Sequence, residues 1–364
     1  MTTSLFLVII SKSEEDIKGI IVNVQEKQCD KMVSTPDSPC IHTILDKDGN
    51  ISMCALPDQF RCTEAIKANA IWLSHSAVQD YLRCKRLYWY KNIRGVELLP
   101  QYLSDPVKMG KLWDKLQSLR YGVDDVTETT VADYIDELQI PDVCRAKVSA
   151  VYRAYCDLIE PDKKDLVGLQ QHFIWHYWDK PVGDIIVHGY YDRLYKDRFV
   201  ECKFTSDQRY YNNVWALNSQ IGTYFLANEN LRSVTMEIIQ VPRQKLYKAG
   251  KQRAEDETIE DYEERVYSEI MANPYNVFIG YNHEDKSYGL QFYRDEFNLK
   301  ELEYRYKWIT IEIQDRAKRN SFYIEDNKCF MYNTMCDYYD VCTAGGNVNF
   351  ERYRIREKNQ DEGN

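Results

Sequence analysis

Two runs rich in Ile, Val, Tyr and Phe, residues 185–194 and 198–204, flank Lys196-Asp197. Strand-forming runs separated by so short a turn predict an antiparallel hairpin. The turn sets the register, so Tyr195 falls opposite Arg198, Leu194 opposite Phe199 and Asp192 opposite Glu201. Side chains alternate along a strand, which puts Asp192, Leu194, Phe199, Glu201 and Lys203 on one face. Directly opposite residues have Cβ atoms roughly 4.5–5.5 Å apart, and like charges there are destabilising. A bound divalent cation would remove that penalty, and Lys203 lies where it can hold a water or a phosphate oxygen. Two carboxylates and a lysine on one surface are the groups that metal-dependent cleavage of a phosphodiester requires. The motif is short, and alone it equally fits a solvated hairpin carrying surface charge.

At 364 residues, 44% of them apolar, the chain can bury one large core or two ordinary ones. It contains no apolar run of about 18 residues, so no transmembrane helix is expected. Residues 5–10 are apolar but lack a basic flank, and they predict a strand rather than a signal peptide. The net charge of −10 argues against a protein that coats nucleic acid with its whole surface, while leaving room for a local basic groove. Tyr is abundant at 29 and Trp reaches 7, mostly for the core, with a few available for stacking on bases. Eleven Cys without a secretory signal point to a reducing, cytoplasmic setting, and there to ligation rather than disulfides.

Residues 1–68 differ from the rest. They carry Cys29, Cys40, Cys54 and Cys62, a Pro/Ser-rich stretch at 34–39 and a turn at Asp48-Gly49-Asn50, and predict a small β-rich extension. Without a CxxC pair, a zinc site there has little support. From Ser74 a capped helix is expected to about residue 84, followed by helices over 106–120, 129–138 and 143–159. Strands over 168–178, 183–194 and 198–204 come next. A helix over 212–229, a strand over 233–241 and a helix over 258–272 follow. Two short strands within 276–293 and a long helix over 296–319 complete the series. This order predicts an α/β domain over 69–350, a mixed sheet with helices on both sides. A charged tail over 351–364 is expected to fray.

Cys329-x6-Cys336-x5-Cys342 forms a tight trio near the C-terminus, and Cys84 is the natural fourth thiolate. Four thiolates suit zinc or an iron–sulfur cluster, and the absence of His and of close CxxC pairs leans toward the cluster. Such a site would staple together the two ends of the domain. The plainer alternative is buried free cysteines, which are common core residues.

Taken in order, Leu73-Ser74-His75-Ser76, Tyr81-x2-Cys84, a Gly110-initiated helix, Gly189-x2-Asp192, Glu201-x-Lys203, Gln220-x3-Tyr224 and the cysteine trio resemble a known family. This is the RecB-like branch of the PD-(D/E)xK nuclease superfamily, and in particular its phage-type iron–sulfur exonucleases. The resemblance spans about residues 73–343. It implies a restriction-endonuclease-like core with Asp192, Glu201, Lys203, Gln220 and Tyr224 as catalytic residues. It implies Mg²⁺ or Mn²⁺ on Asp192, Glu201 and the backbone carbonyl of Cys202, and a 4Fe–4S cluster on Cys84, Cys329, Cys336 and Cys342. The family usually has His where this chain has Asp114, a hard oxygen ligand able to serve the same cation. Arg83, Lys85, Arg86, Tyr88 and Trp89 around Cys84, with Arg243 after the core, are the expected contacts to DNA. The expected activity is exonucleolytic, on DNA ends or single strands in phage or prokaryotic recombination, repair or replication, with a helicase or recombination partner. The competing readings are a non-catalytic DNA-end-binding subunit, toward which Asp114 and the acidic charge point, and an iron–sulfur electron carrier, which needs no Asp…Glu-x-Lys.

Overall fold

The alternation that predicts the hairpin runs through a whole sheet. The computed structural model describes residues 43–45, 51–54, 71–123, 125–179, 183–209, 218–250, 255–331, 334–346 and 348–356. Strands β1 (Thr43–Leu45) and β2 (Ile51–Cys54) pair antiparallel, and the expected turn at Asp48-Gly49-Asn50 lies outside the described residues. The remainder of 1–70, with Cys29, Cys40 and Cys62, lies outside the described residues. The main sheet comprises β3 (Ile71–Ser74), β5 (Leu166–Asp179), β6 (Gly183–Tyr195), β7 (Arg198–Thr205), β8 (Ser233–Gln240) and β9 (Leu290–Tyr293). A separate strand β4 (Val96–Leu98) precedes the first long helix. The pairs β3·β6 and β7·β8 are parallel and the pairs β5·β6, β6·β7 and β8·β9 antiparallel, so the sheet is mixed.

The helices in chain order are α1 (His75–Arg83), α2 (Lys85–Tyr88), α3 (Asp105–Tyr121), α4 (Glu128–Leu138), α5 (Asp142–Leu158), α6 (Ser219–Ala227), α7 (Ile259–Ala272), α8 (Leu299–Arg319) and α9 (Tyr339–Thr343). Several of their starts are written in the sequence. Ser74, Thr258 and Asn298 each cap a helix by accepting a backbone N–H, and Thr127 and Thr130 bond reciprocally. Each sheet face is covered. Helices α3, α4, α5 and α7 bury Trp113, Val131, Val151, Tyr155 and Val266 against Cys202, Phe204 and Ile239. On the other face, α1, α6 and α8 bury Val78, Tyr224, Phe225, Tyr306 and Ile313 against Ile185, Val187, Phe199 and Ile238. Period-2 alternation in β7 and β8 sends neighbouring residues to opposite cores.

Three expectations change. Residues 276–293 hold one strand, β9, because Phe278 makes only an isolated bridge to Ile239. The helix expected over 212–229 is described only as α6, capped by Asn218, whose side chain accepts from Gln220 and Ile221; residues 210–217 lie outside the described set. The tail does not fray at 351. Strand β12 (Tyr353–Ile355) pairs with β4, Tyr353 is buried, and Arg354 and Arg356 both bond Glu97. Between α8 and β12 lie the two-residue strands β10 (Phe330–Met331) and β11 (Thr334–Met335), which form a hairpin.

Candidate functional site

The site lies where β6 loses its neighbours. One edge of β6 carries β5 along its length, so β3 and β7 share the other edge. There β3 pairs as far as Ser74↔His188, and β7 pairs only at Arg193↔Val200 and Leu194↔Phe199. Residues 189–192 have no strand partner on that edge among the described residues. The Asp192–Glu201 pairing expected from the turn is therefore not made, and of the pairs expected beside the turn Leu194↔Phe199 forms whereas Tyr195↔Arg198 does not. The strands splay, and Asp192 Oδ2 instead accepts the Cys202 N–H at 2.8 Å. An N–H and C=O of one strand residue face the same edge, so the Cys202 carbonyl also faces the fork. The β5 edge is interrupted at the same level. Gln170, opposite Asp192, is left-handed at φ 47° and drops out of the ladder between Leu169↔Arg193 and Gln171↔Tyr191. Asp192 thus stands in a hole in the sheet.

Glu201 is 1% exposed and ion-pairs with Lys203 through one oxygen, while its Oε2 is buried without a hydrogen-bond partner. Lys203 Nζ donates to Gln220 Oε1 at 3.1 Å, and Gln220 Nε2 donates to the Tyr224 hydroxyl at 2.7 Å. The i,i+4 spacing on α6 brings these two together as expected. Burial, then the Asp192 charge, push the Glu201 carboxyl up to about 8, against the pull of Lys203. Asp114, on α3, is pushed up to about 7 by the protein packed around its carboxyl and by Asp192, although the residue keeps an exposed rim where water screens it. Its neighbour Trp113 fixes α3 to β7, donating from Nε1 to Cys202 Sγ at 3.1 Å. The orphaned Glu201 oxygen and the mutual repulsion of three carboxylates fit a hard divalent cation.

From Asp192, Gln220 and Tyr224 a groove of about 480 Å³ follows the unpaired edge of β6 past Gly189, Tyr190 and His188 to Ser74, His75, Lys91 and Arg356. That is within the size range of small-ligand sites. Gly189 is required there, because a Cβ would meet the Phe173 ring at 2.9 Å. His75, to which sequence reasoning gave no role, bonds Ser219 Oγ at 3.3 Å, and burial with the charges of Lys203 and Arg305 lowers it to about 4. His188 packs against Trp72 and His172.

Cys84, Cys329, Cys336 and Cys342 line a single small pocket between α1, α9 and the β10–β11 hairpin. Burial pushes the thiols of Cys329, Cys336 and Cys342 up; Cys342, which the other three cysteines raise further, reaches about 11. A positive centre among them would reverse that shift, which fits a metal or cluster. Among the described residues, no three His, Cys, Asp or Glu side chains already stand as a closed metal-holding group.

The expected DNA contacts divide. The charges of Arg83 and Arg86 act on the cysteines, drawing down Cys336 and Cys342 respectively. Trp89 is half-buried between the guanidinium groups of Arg86 and Arg94, at 5.1 and 5.2 Å. Lys85 lies over Tyr81 and near Glu325, and Arg243 is exposed. Tyr88 is buried against Tyr81 and Phe322 and reaches the β6 groove only as part of its wall.

No protein-family model matches the chain, and a search of curated proteins finds no match either. No helix among the described residues is long and apolar enough to cross a membrane.

Proposed function

We propose that this chain is a Mg²⁺- or Mn²⁺-dependent deoxyribonuclease with a PD-(D/E)xK core, acting on DNA ends or single strands. The observation that carries this reading is Asp192 standing unladdered in the sheet, with Glu201 buried beside it and tied to Lys203. Asp192, Glu201, Asp114 and the Cys202 carbonyl would hold the cation. When bound, the cation would activate water for attack and neutralise charge on the phosphate. Lys203 is held by Gln220 and Tyr224, so its ammonium is fixed before substrate arrives and can stabilise charge developing on a phosphate oxygen. The groove along β6 receives the strand beside the reacting phosphate, and its modest volume favours an end or an unpaired strand.

The four-cysteine pocket would hold a 4Fe–4S cluster, with zinc as the competing occupant, and its role is structural. From the same resemblance we infer a helicase or recombination partner and a prokaryotic or phage-infected cytoplasm.

The test is anaerobic purification with an absorbance spectrum, then degradation of end-labelled single- and double-stranded DNA with Mg²⁺ or Mn²⁺, beside Lys203→Ala. A brown protein that cuts, with an inert variant, supports the reading. DNA binding without cutting points instead to an end-binding subunit. A colourless, zinc-containing protein that still cuts replaces the cluster and leaves the nuclease.

A further inference from the structure

On the α3 side of Asp192, away from Lys203, a second and smaller cleft opens. Asp114, Gln117, Gln170 and Asp192 line it, with Arg193 and Cys202 at its floor. The positive charge of Arg193 is already committed, since its guanidinium pairs with buried Glu237 and donates to the Tyr121 hydroxyl. What distinguishes the cleft is Gln117. It sits one turn after Asp114 on α3, is 8% exposed, and neither its Oε1 nor its Nε2 has a hydrogen-bond partner. Burying a carboxamide with both ends unmatched is costly, and native proteins rarely tolerate it without an occupant. Gln170 reaches the same cleft from the left-handed position in β5, where its Nε2 donates to Asp192 Oδ1 at 3.4 Å. A non-glycine residue in that conformation beside a carboxylate is the kind of strain that collects at ligand sites.

We propose that this cleft is an oxygen-lined divalent-cation site in which the Gln117 carboxamide oxygen is a ligand beside Asp114 and Asp192, with Gln170 closing the solvent side. The donors are carboxylates and carboxamides only, a set that selects a hard cation over zinc or copper. The inference takes the identity of the cation from the preceding reading, but the site is defined by Gln117 and does not need DNA cleavage.

The experiment is calorimetric titration of the full chain with Mn²⁺, together with melting curves of the metal-free and Mn²⁺-loaded protein. Gln117→Met is expected to weaken Mn²⁺ binding at least tenfold. Its metal-free melting temperature should match or exceed that of wild type, because an apolar side chain of similar volume replaces an unpaired amide. Gln117→Glu is expected to bind several-fold more tightly than wild type, and Gln170→Gly several-fold less tightly with no loss of melting temperature. Unchanged Mn²⁺ affinity in Gln117→Met overturns the proposal and leaves the cleft to water. If Gln117→Met fails to fold, the other two variants decide, and wild-type affinity in both overturns it. Mn²⁺ binding through Gln117 in a protein that does not cut DNA would end the nuclease reading and leave this one standing. Cutting with Mn²⁺ affinity independent of Gln117 would do the reverse.

Discussion

The carboxylate site and the cysteine pocket both gather acidic groups of one kind, but they are held in different ways. Asp192, Glu201 and Lys203 sit on long strands of one sheet, and Asp114 rides on a helix locked to that sheet by Trp113. Their positions follow from two large cores. Cys84 caps the end of α1, Cys329 and Cys336 flank a hairpin of two-residue strands, and Cys342 lies in the five-residue α9. Helices and strands that short have little stability of their own. The first site is made by the fold, whereas the second, on the proposed reading, would help to make it through its bound cluster. Substitution should therefore remove chemistry and spare stability at the carboxylates, and do the opposite at the cysteines.

The largest effect is expected from Cys336→Ala. Loss of a staple between segments so distant should destabilise the protein by about 5 kcal/mol, the scale of a long-loop cross-link, and abolish visible absorbance. Denaturant unfolding with a spectrum checks both, and a colourless wild type as stable as the variant would erase the contrast. Next is Asp192→Ala, for which DNA cleavage should fall by about 1,000-fold while the melting temperature holds or rises as like charges are separated. A large drop in melting temperature would show that the carboxylates are structural too.

Gly189→Ala tests how far packing sets the fork. The added methyl presses on Phe173, and overpacking of this kind costs about 1–3 kcal/mol. An unperturbed melting curve would mean that β5 gives way there. The gentlest effect is on pH. Glu201 and Asp114 are raised above their ordinary values in the folded protein, to about 8 and about 7. A group raised in this way stabilises the fold below its unfolded pKa, and that stability is lost as pH climbs through the folded value. The melting temperature of the metal-free protein should decline from about pH 5 to about pH 8. Mn²⁺ should flatten the decline, with protons released on binding. A metal-free protein with no such slope would show that Lys203 alone keeps Glu201 ionised.

Much of this organisation was legible in the residues. Alternation and the Lys196-Asp197 turn located the hairpin, caps such as Ser74 and Thr258 located helices, and the i,i+4 spacing placed Gln220 against Tyr224. What escaped depends on contacts between distant segments. The splaying of β7 from β6 needs β3 on the same edge, which no local pattern encodes. The left-handed Gln170 has no glycine to announce it, and Gln117 looks like any polar residue on a helix until α3 docks. Strand β12 was hidden by its charges, since only Tyr353 turns inward while Arg354 and Arg356 meet Glu97 across the pair.

The cysteine pocket also has a timetable. Cys84 leaves the ribosome 245 residues ahead of Cys329. At roughly 5–20 residues per second that interval is about 12–50 s. Throughout it α1 presents a thiol whose partners have not been made, and β4 waits as long for β12. Assembly of that part of the molecule thus waits on residues made long after Cys84. Within that interval every residue of the β6–β7 hairpin, with Asp192, Glu201 and Lys203, has already been made.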